Sequence, residues 1–174
     1  SFGVLFFATS IYNQILVGFG PEAISGFFIA FRIQAVFVVP AVAFGSGVAI
    51  LMNQSFGQKQ IKDALHLCKV GFLFCLALYL PASSALFFFK NQVVLILSSD
   101  PKVQKHALDF LSIVALSYRF LGPVGSFLTI LEHIGKGIKA LVLNFASTLF
   151  VCGCGWILVR TFHEIIPFYY ILAF

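Results

Sequence analysis

The chain has 174 residues, of which 60% are apolar and 10% are charged, and its formal net charge is +5. Soluble domains carry about a quarter charged residues, so 11 basic and six acidic side chains cannot cover a water-exposed surface of this size. The composition predicts an all-α, polytopic transmembrane helix bundle, because in lipid every backbone N–H and C=O must be satisfied within its own segment.

Long uncharged runs carry this prediction along the chain. Asp, Glu, Lys and Arg are absent from residues 1–21, 34–57, 70–89 and 140–159. Each run is near or above the roughly 20 residues that a helix needs to cross about 30 Å of hydrocarbon. We therefore expect most of the chain to lie within a membrane.

The chain is predicted to form one transmembrane domain of about six helices, the first and last of them partial. The predicted bounds are residues 2–18, 23–53, 64–89, 102–132, 138–160 and 165–174. Asp100 is the expected N-cap of the fourth helix and Pro101 its first residue. Gly135 and its neighbours are expected to form the turn that ends this helix. The partial first and last helices suggest a fragment of a larger bundle.

Prolines and glycines interrupt several of these runs. Pro40, Pro81 and Pro123 lie inside apolar segments, and Gly122-Pro123 is the predicted weak point of the fourth helix. A proline inside a helix removes one backbone hydrogen bond, which neighbouring helices must replace. The pattern suits a bundle whose helices bend, and it also suits membrane helices in general, where both residues are common.

Basic residues lie mainly between the apolar runs, as topology signals and headgroup contacts, so a nucleic-acid partner is not expected. One side of the predicted bundle carries Lys59, Lys62, Lys69, Lys136 and Lys139. The other side carries Lys90, Lys102, Lys105 and Arg160. This small excess places the first group in the cytoplasm of a multi-pass protein of the cell (inner or plasma) membrane.

No sequence pattern of an enzyme is present. The chain lacks HExxH, Gly-x-Ser-x-Gly and P-loop motifs. Its four cysteines have neither metal-ligand nor disulfide spacing and are predicted to be small buried apolar residues. We therefore expect no enzymatic activity, no cofactor and no metal.

A few polar side chains fall inside the apolar runs. Arg32 and Arg119 either reach the interface by snorkelling or face a bundle interior or a wet cavity. Asn13 and Gln34 either bond neighbouring helices or line such a cavity. Five of the six acidic residues are expected at loops or helix ends, and Asp109 about two turns inside the fourth helix, near the interface. No carboxylate is therefore expected near the membrane centre.

Several stretches together resemble the multidrug and toxic compound extrusion (MATE) transporters. The order and spacing of these stretches cover about 150 residues of the chain. They are the segment from Gly20 to Ile33, Pro40 with Gly45-Ser46-Gly47, the segment from Asn53 to Lys59, Asp100-Pro101-Lys102-Val103, and Gly135-Lys136.

The resemblance implies the C-terminal lobe of a two-lobed transporter with 12 helices. Such proteins export small organic molecules by antiport with H⁺ or Na⁺, rocking between inward-open and outward-open states. The implied partners are the lipid bilayer, a cationic or amphipathic organic substrate and a missing N-terminal lobe. Some members carry a carboxylate midway along the tenth helix. Near that position this sequence has Tyr118-Arg119-Phe120-Leu121, which contains no acidic residue. The coupling-ion site is therefore expected outside this chain.

The resemblance and the aromatic content together suggest which residues line a substrate cavity, by stacking, cation–π contact and hydrogen bonding. The candidates are Asn13, Phe28, Phe31, Gln34, Tyr118, Arg119 and Phe120. Two alternatives remain open. One is a non-transporting membrane scaffold or gene remnant, and the other is a lipid-linked oligosaccharide flippase of the same superfamily, for which Arg32 and Arg119 are the support.

Overall fold

The computed structural model describes residues 2–162 and 164–173, without the side chains of Phe2, Leu5 and Phe6. Within these residues the chain is helical and has no β-strand. The helices are α1 (Phe2–Leu16), α2 (Pro21–Gly57), α3 (Ile61–Leu97), α4 (Pro101–Val114), α5 (Tyr118–Leu131), α6 (Gly137–Phe162) and α7 (Ile166–Ala173). The predicted all-α bundle is confirmed, while the predicted end of the last helix at Phe174 lies outside the described residues.

Among the described residues, three stretches are long and apolar enough to cross a membrane: Pro21–Gly57, Ile61–Leu97 and Tyr118–Phe162. The third is divided by a turn, because Ile134 and Gly135 have non-helical backbone angles and the φ of Gly135 is +81°. Glycine adopts a positive φ without the steric cost that a side chain brings. The predicted turn at Gly135 is confirmed, and it separates α5 from α6.

The third helix is longer than predicted. We expected it to end at Phe89 and a loop to run from Lys90 to Pro101, but α3 continues to Leu97. Tertiary contacts explain the extension: Lys90 Nζ donates to Ser112 Oγ at 2.7 Å, and Val94 is fully buried. The helix α2 likewise starts at Pro21 and ends at Gly57, outside the predicted bounds 23–53.

The fourth predicted helix is two helices. The chain leaves the helical path at residues 115–117, between α4 and α5, whereas Gly122-Pro123 lies inside α5. The Ser117 hydroxyl donates to the Val114 carbonyl oxygen at 2.8 Å, and the Ser117 N–H bonds the same oxygen at 3.0 Å. Such local side-chain bonds compete with the regular helical pattern, which explains why the break precedes the proline.

The start of α4 follows the sequence prediction. Asp100 has an extended backbone, and its Oδ1 accepts a hydrogen bond from the Lys102 N–H at 2.9 Å. Pro101 is the first helical residue, where its missing N–H has no consequence. Apolar residues then follow the period of a helix along its buried face: Val103, Ala107, Phe110, Leu111 and Val114.

The chain forms two compact units. Unit 1 comprises Ser1–Ile33, Ser84–Ser117 and Leu143–Phe174, and unit 2 comprises Gln34–Ser83 and Tyr118–Val142. The organisation of the chain as one transmembrane domain stays a prediction. The two units are described separately below.

Glycine allows helices to touch in both units. In unit 1, a Cβ atom added at Gly26 of α2 would lie 2.6 Å from His106 Cβ of α4. In unit 2, a Cβ added at Gly45 of α2 would lie 2.6 Å from the Ser126 carbonyl oxygen of α5. Small residues at such contacts let membrane helices approach closely and gain van der Waals packing.

Gly45 and Gly47 therefore give a matched test of close packing. Gly45→Ala forces α2 and α5 apart and should lower the free energy of unfolding by about 1–3 kcal/mol. Gly47→Ala should leave stability unchanged or raise it by about 0.5–1 kcal/mol, since alanine favours the helix. A Cβ at Gly47 would meet nothing within 4 Å. Thermal unfolding of the purified protein in detergent measures both, and equal melting temperatures would contradict the packing account.

Candidate functional site

An aromatic cluster forms the centre of unit 1. Phe27 of α2 is fully buried, and its ring lies 5.3 Å from the Phe110 ring and 6.2 Å from the Phe168 ring, centroid to centroid. Further rings surround it in edge-on, tilted and stacked arrangements, which aromatic pairs adopt. The members of this aromatic cluster are Tyr12, Phe27, Phe28, Phe31, Phe110, Phe168 and Tyr169.

Two of the predicted cavity residues, Phe28 and Phe31, belong to this cluster. The Phe28 ring meets Phe27 edge-on at 5.5 Å, and the Phe31 ring stacks on Phe27 at 5.9 Å. Both are half-buried, so each presents part of its ring outside the packed centre. Asn13 is exposed on α1, directly after Tyr12 of the cluster. Their contact with a substrate stays a prediction.

The other predicted cavity residues lie in unit 2. Tyr118 is buried, and its ring packs at 5.1 Å against Phe37. Arg119 is half-buried, and its guanidinium carbon lies 5.6 Å from the centre of the Phe120 ring, which is 58% exposed. Gln34 is half-buried. Phe120 is therefore the exposed residue of this group, and the Arg119 guanidinium lies over its ring.

Side-chain hydroxyls bond the backbone of α2 beside Pro40. Pro40 has no N–H to give to the Val36 carbonyl, and its ring disturbs the hydrogen bonds of that turn. The Tyr79 hydroxyl of α3 donates to the Phe37 carbonyl oxygen. The Ser126 hydroxyl of α5 donates to the Ala41 carbonyl oxygen at 2.9 Å.

Cys75 completes this polar group, with its Sγ 3.4 Å from Ser126 Oγ. Sequence reasoning anticipated that neighbouring helices must bond a proline-kinked helix, but it did not single out Cys75, Tyr79 or Ser126. The sequence did contain a signal for Tyr79 and Ser126, because each lies close to a proline of its own helix. Tyr79 precedes Pro81 by two positions, and Ser126 follows Pro123 by three.

Ser126→Ala should therefore destabilise unit 2. The substitution removes the bond to the Ala41 carbonyl and the contact with Cys75, and interhelical bonds of this kind average about 0.6 kcal/mol and reach about 1.7. Ser46→Ala is the matched control, because the Ser46 hydroxyl bonds only its own helix, at the Val42 carbonyl. Denaturation in detergent compares the two variants, and an equal or larger loss in Ser46→Ala would contradict this role.

Metal-ligating groups do not gather in the part of the chain that the structure describes. Within residues 2–162 and 164–173, no three His, Cys, Asp or Glu side chains are placed to hold one ion. The cysteines are free, with Cys75 and Cys152 buried. The expectation of no cofactor, and of a coupling ion bound elsewhere, stays a prediction.

Long apolar helices with buried glycine contacts and few charges define a multi-pass α-helical membrane protein. A family model described as MatE matches residues 3–157. The chain belongs to this family of transporters, so the resemblance seen in the sequence is confirmed, and the lipid bilayer is its surrounding. Membership in a transporter family agrees with the prediction that the chain is not an enzyme.

A curated relative supports the same family. The chain is similar to the "probable multidrug resistance protein NorM" of Thermotoga maritima, with 23% identity over 147 residues. This match covers 84% of the chain but 31% of the relative. The chain thus spans about a third of the length of this relative.

Two solved structures share the fold. A MATE protein crystallised in complex with MaL6 superposes with a TM-score of 0.88 and 15% identity, over 98% of this chain and 39% of that one. The Vibrio cholerae MATE transporter VcmN, in a form described as bent, gives a TM-score of 0.87 and 19% identity, over 96% of this chain and 38% of that one. At these identities the likeness shows the fold alone.

Proposed function

We propose that the protein carrying this chain is a secondary active exporter of amphipathic drugs or metabolites. It exchanges its substrate for H⁺ or Na⁺ by rocking between inward-open and outward-open states. In this proposal the chain is the C-terminal lobe, and an N-terminal lobe completes the transporter in the cell membrane. The family match over residues 3–157 carries the proposal.

The share of each relative that is covered supports the two-lobe arrangement. The chain is matched almost throughout, yet it accounts for 39% and 38% of the two solved MATE chains. More than half of each solved chain therefore lies outside the part that this chain matches. An N-terminal lobe of comparable size is consistent with these proportions.

Charge distribution supports placing the coupling ion in the other lobe. An ion that crosses the membrane needs a group whose own charge is costly there, usually a carboxylate. The segment from Tyr118 to Leu121 offers Arg119 instead, and a guanidinium repels H⁺ and Na⁺ alike. We therefore propose that this chain contributes substrate contacts and that the coupling ion binds elsewhere.

In this proposal Phe120 contacts the substrate and Arg119 influences which substrates can bind there. The exposed Phe120 ring is a surface for an amphipathic molecule, but the guanidinium of Arg119 already lies over it. An organic cation must compete with Arg119 for that ring, whereas a neutral amphipathic molecule stacks without competition. This arrangement favours amphipathic substrates of low positive charge.

Transport by the full-length protein in vesicles tests the proposal. Purified protein reconstituted in liposomes should move an amphipathic dye against its gradient when a proton or sodium gradient is applied. Absence of transport under both gradients would contradict the exporter and leave the scaffold or the flippase. A flippase is recognised by movement of a lipid-linked sugar without dye transport.

Arg119→Gln separates the proposed contact from general effects. The substitution uncovers the Phe120 ring and removes one positive charge beside it. The KM for an organic cation should therefore fall about two- to fivefold. The KM for a neutral amphipathic substrate should stay the same. Arg160→Gln is the matched control, because Arg160 lies 4.2 Å over the Trp156 ring in unit 1. An equal change in both variants, or a raised KM for the cation, would contradict the role of Arg119.

A further inference from the structure

An apolar groove lies between α3 and α5 in unit 2. It is an open groove of about 570 Å³ and is lined by Cys68, Lys69, Phe72, Leu73 and Phe127. The lining side chains are apolar apart from Lys69. A hydrated solute loses hydrogen bonds in such a groove, whereas a hydrocarbon chain loses none.

A second, smaller cavity lies beside the groove. This cavity of about 20 Å³ shares Cys68, Phe72 and Phe127 with the groove and reaches Gly71 and Ser126. The groove mouth is open, because Phe72, Leu73 and Phe127 are 47%, 63% and 46% exposed. The described helices thus leave an apolar slot that faces outward from unit 2.

Basic side chains lead to one end of the groove. Lys62, His66, Lys69 and Leu73 follow one another at intervals of four, three and four residues, which places them on one face of α3. All four are exposed. The helix begins at Ile61, so its N-terminal partial positive charge lies at the same end.

We propose that this groove binds an anionic phospholipid. One acyl chain lies against Phe72, Leu73 and Phe127, and the phosphate meets Lys69 and Lys62. Charge complementarity favours an anionic headgroup over a zwitterionic one, because each Lys near the surface attracts net negative charge. Asp63 is the acidic residue in this part of α3. It neighbours His66, three residues further on, but it lies on the opposite side of the helix from Phe72 of the groove.

A second groove, in unit 1, provides an internal comparison. It is likewise open, has a volume of about 490 Å³ and is lined by Phe150, Cys154, Ile157, Leu158 and Ile171. Its size and apolar character match the first groove, but its lining contains no charged side chain. We expect it to accept acyl chains without preference for the headgroup.

Lipid binding to the full-length protein tests the proposal, and it is measured without transport, so it stands apart from the exporter proposal. Delipidated protein in detergent is titrated with phosphatidylglycerol or with phosphatidylcholine of the same acyl chains, and native mass spectrometry counts bound lipids. The wild-type protein should bind phosphatidylglycerol more tightly. Lys69→Gln should lower that affinity about fivefold and leave phosphatidylcholine unchanged.

Three further variants separate the headgroup from the acyl chain. Lys69→Arg keeps the charge and should keep the preference, and Leu73→Trp fills the groove and should lower binding of both lipids. Lys139→Gln removes an exposed Lys of α6 that does not line the groove and should change neither. Equal wild-type affinities, or an equal loss in Lys139→Gln and Lys69→Gln, would overturn the proposal.

Photo-crosslinking covers the case in which Lys69→Gln does not fold. Phosphatidylglycerol with a diazirine in its acyl chain is bound to the wild-type protein, and the labelled peptides are identified. Labels on Phe72, Leu73 or Phe127 support the groove. Labels confined to other segments would overturn it.

Discussion

The structure depends on one constraint, that every backbone N–H and C=O within lipid needs a partner inside the protein. Regular helices meet it along most of the chain, and Pro40 violates it in the middle of α2. The group that Pro40 leaves without its helical donor is the Val36 carbonyl, and the Tyr79 and Ser126 hydroxyls bond the nearby Phe37 and Ala41 carbonyls from two different helices. These two bonds tie α3 and α5 to the stretch of α2 around Pro40, so polar contacts between helices are concentrated where the regular helix is disturbed.

Close packing is the second consequence of a lipid environment. Burial of apolar side chains gives little driving force between helices when the surrounding solvent is itself apolar, so contact between backbones has to provide it. Gly45 brings α2 against Ser126, and the same Ser126 hydroxyl bonds the Ala41 carbonyl one turn earlier on α2. The hydrogen bond needs the short distance that the glycine permits. Gly45 and Ser126 therefore act as one contact, and a larger residue at either position disturbs both of its parts.

The sequence was sufficient for features that depend on local chemistry. Uncharged runs predicted the long helices, Asp100 predicted the start of α4, and the positive φ of Gly135 agrees with the predicted turn. Features that depend on distant partners were missed. The extension of α3 to Leu97 is an example, because it rests on a contact between Lys90 and Ser112. The α4–α5 break was missed for another reason: it depends on the local bond of Ser117 to Val114, while Pro123 was the more conspicuous signal. Phe28 and Phe31 were singled out, but Phe27, on which both pack, carries no sequence signal that distinguishes it from its neighbours.

The positions of the cations suggest how the chain keeps charge at its helix surfaces with so few acids. Lys90 lies 4.6 Å over the Phe87 ring, Arg119 lies 5.6 Å over Phe120, and Arg160 lies 4.2 Å over Trp156. In each pair the ring belongs to the same helix, one to four residues away, so the partner comes with the helix and needs no second element. A ring face attracts a cation without carrying a charge of its own, which adds no further ion to be desolvated. Such pairs hold a cation at a membrane helix without introducing a carboxylate. A chain built in this way is suited to helices that are surrounded by lipid.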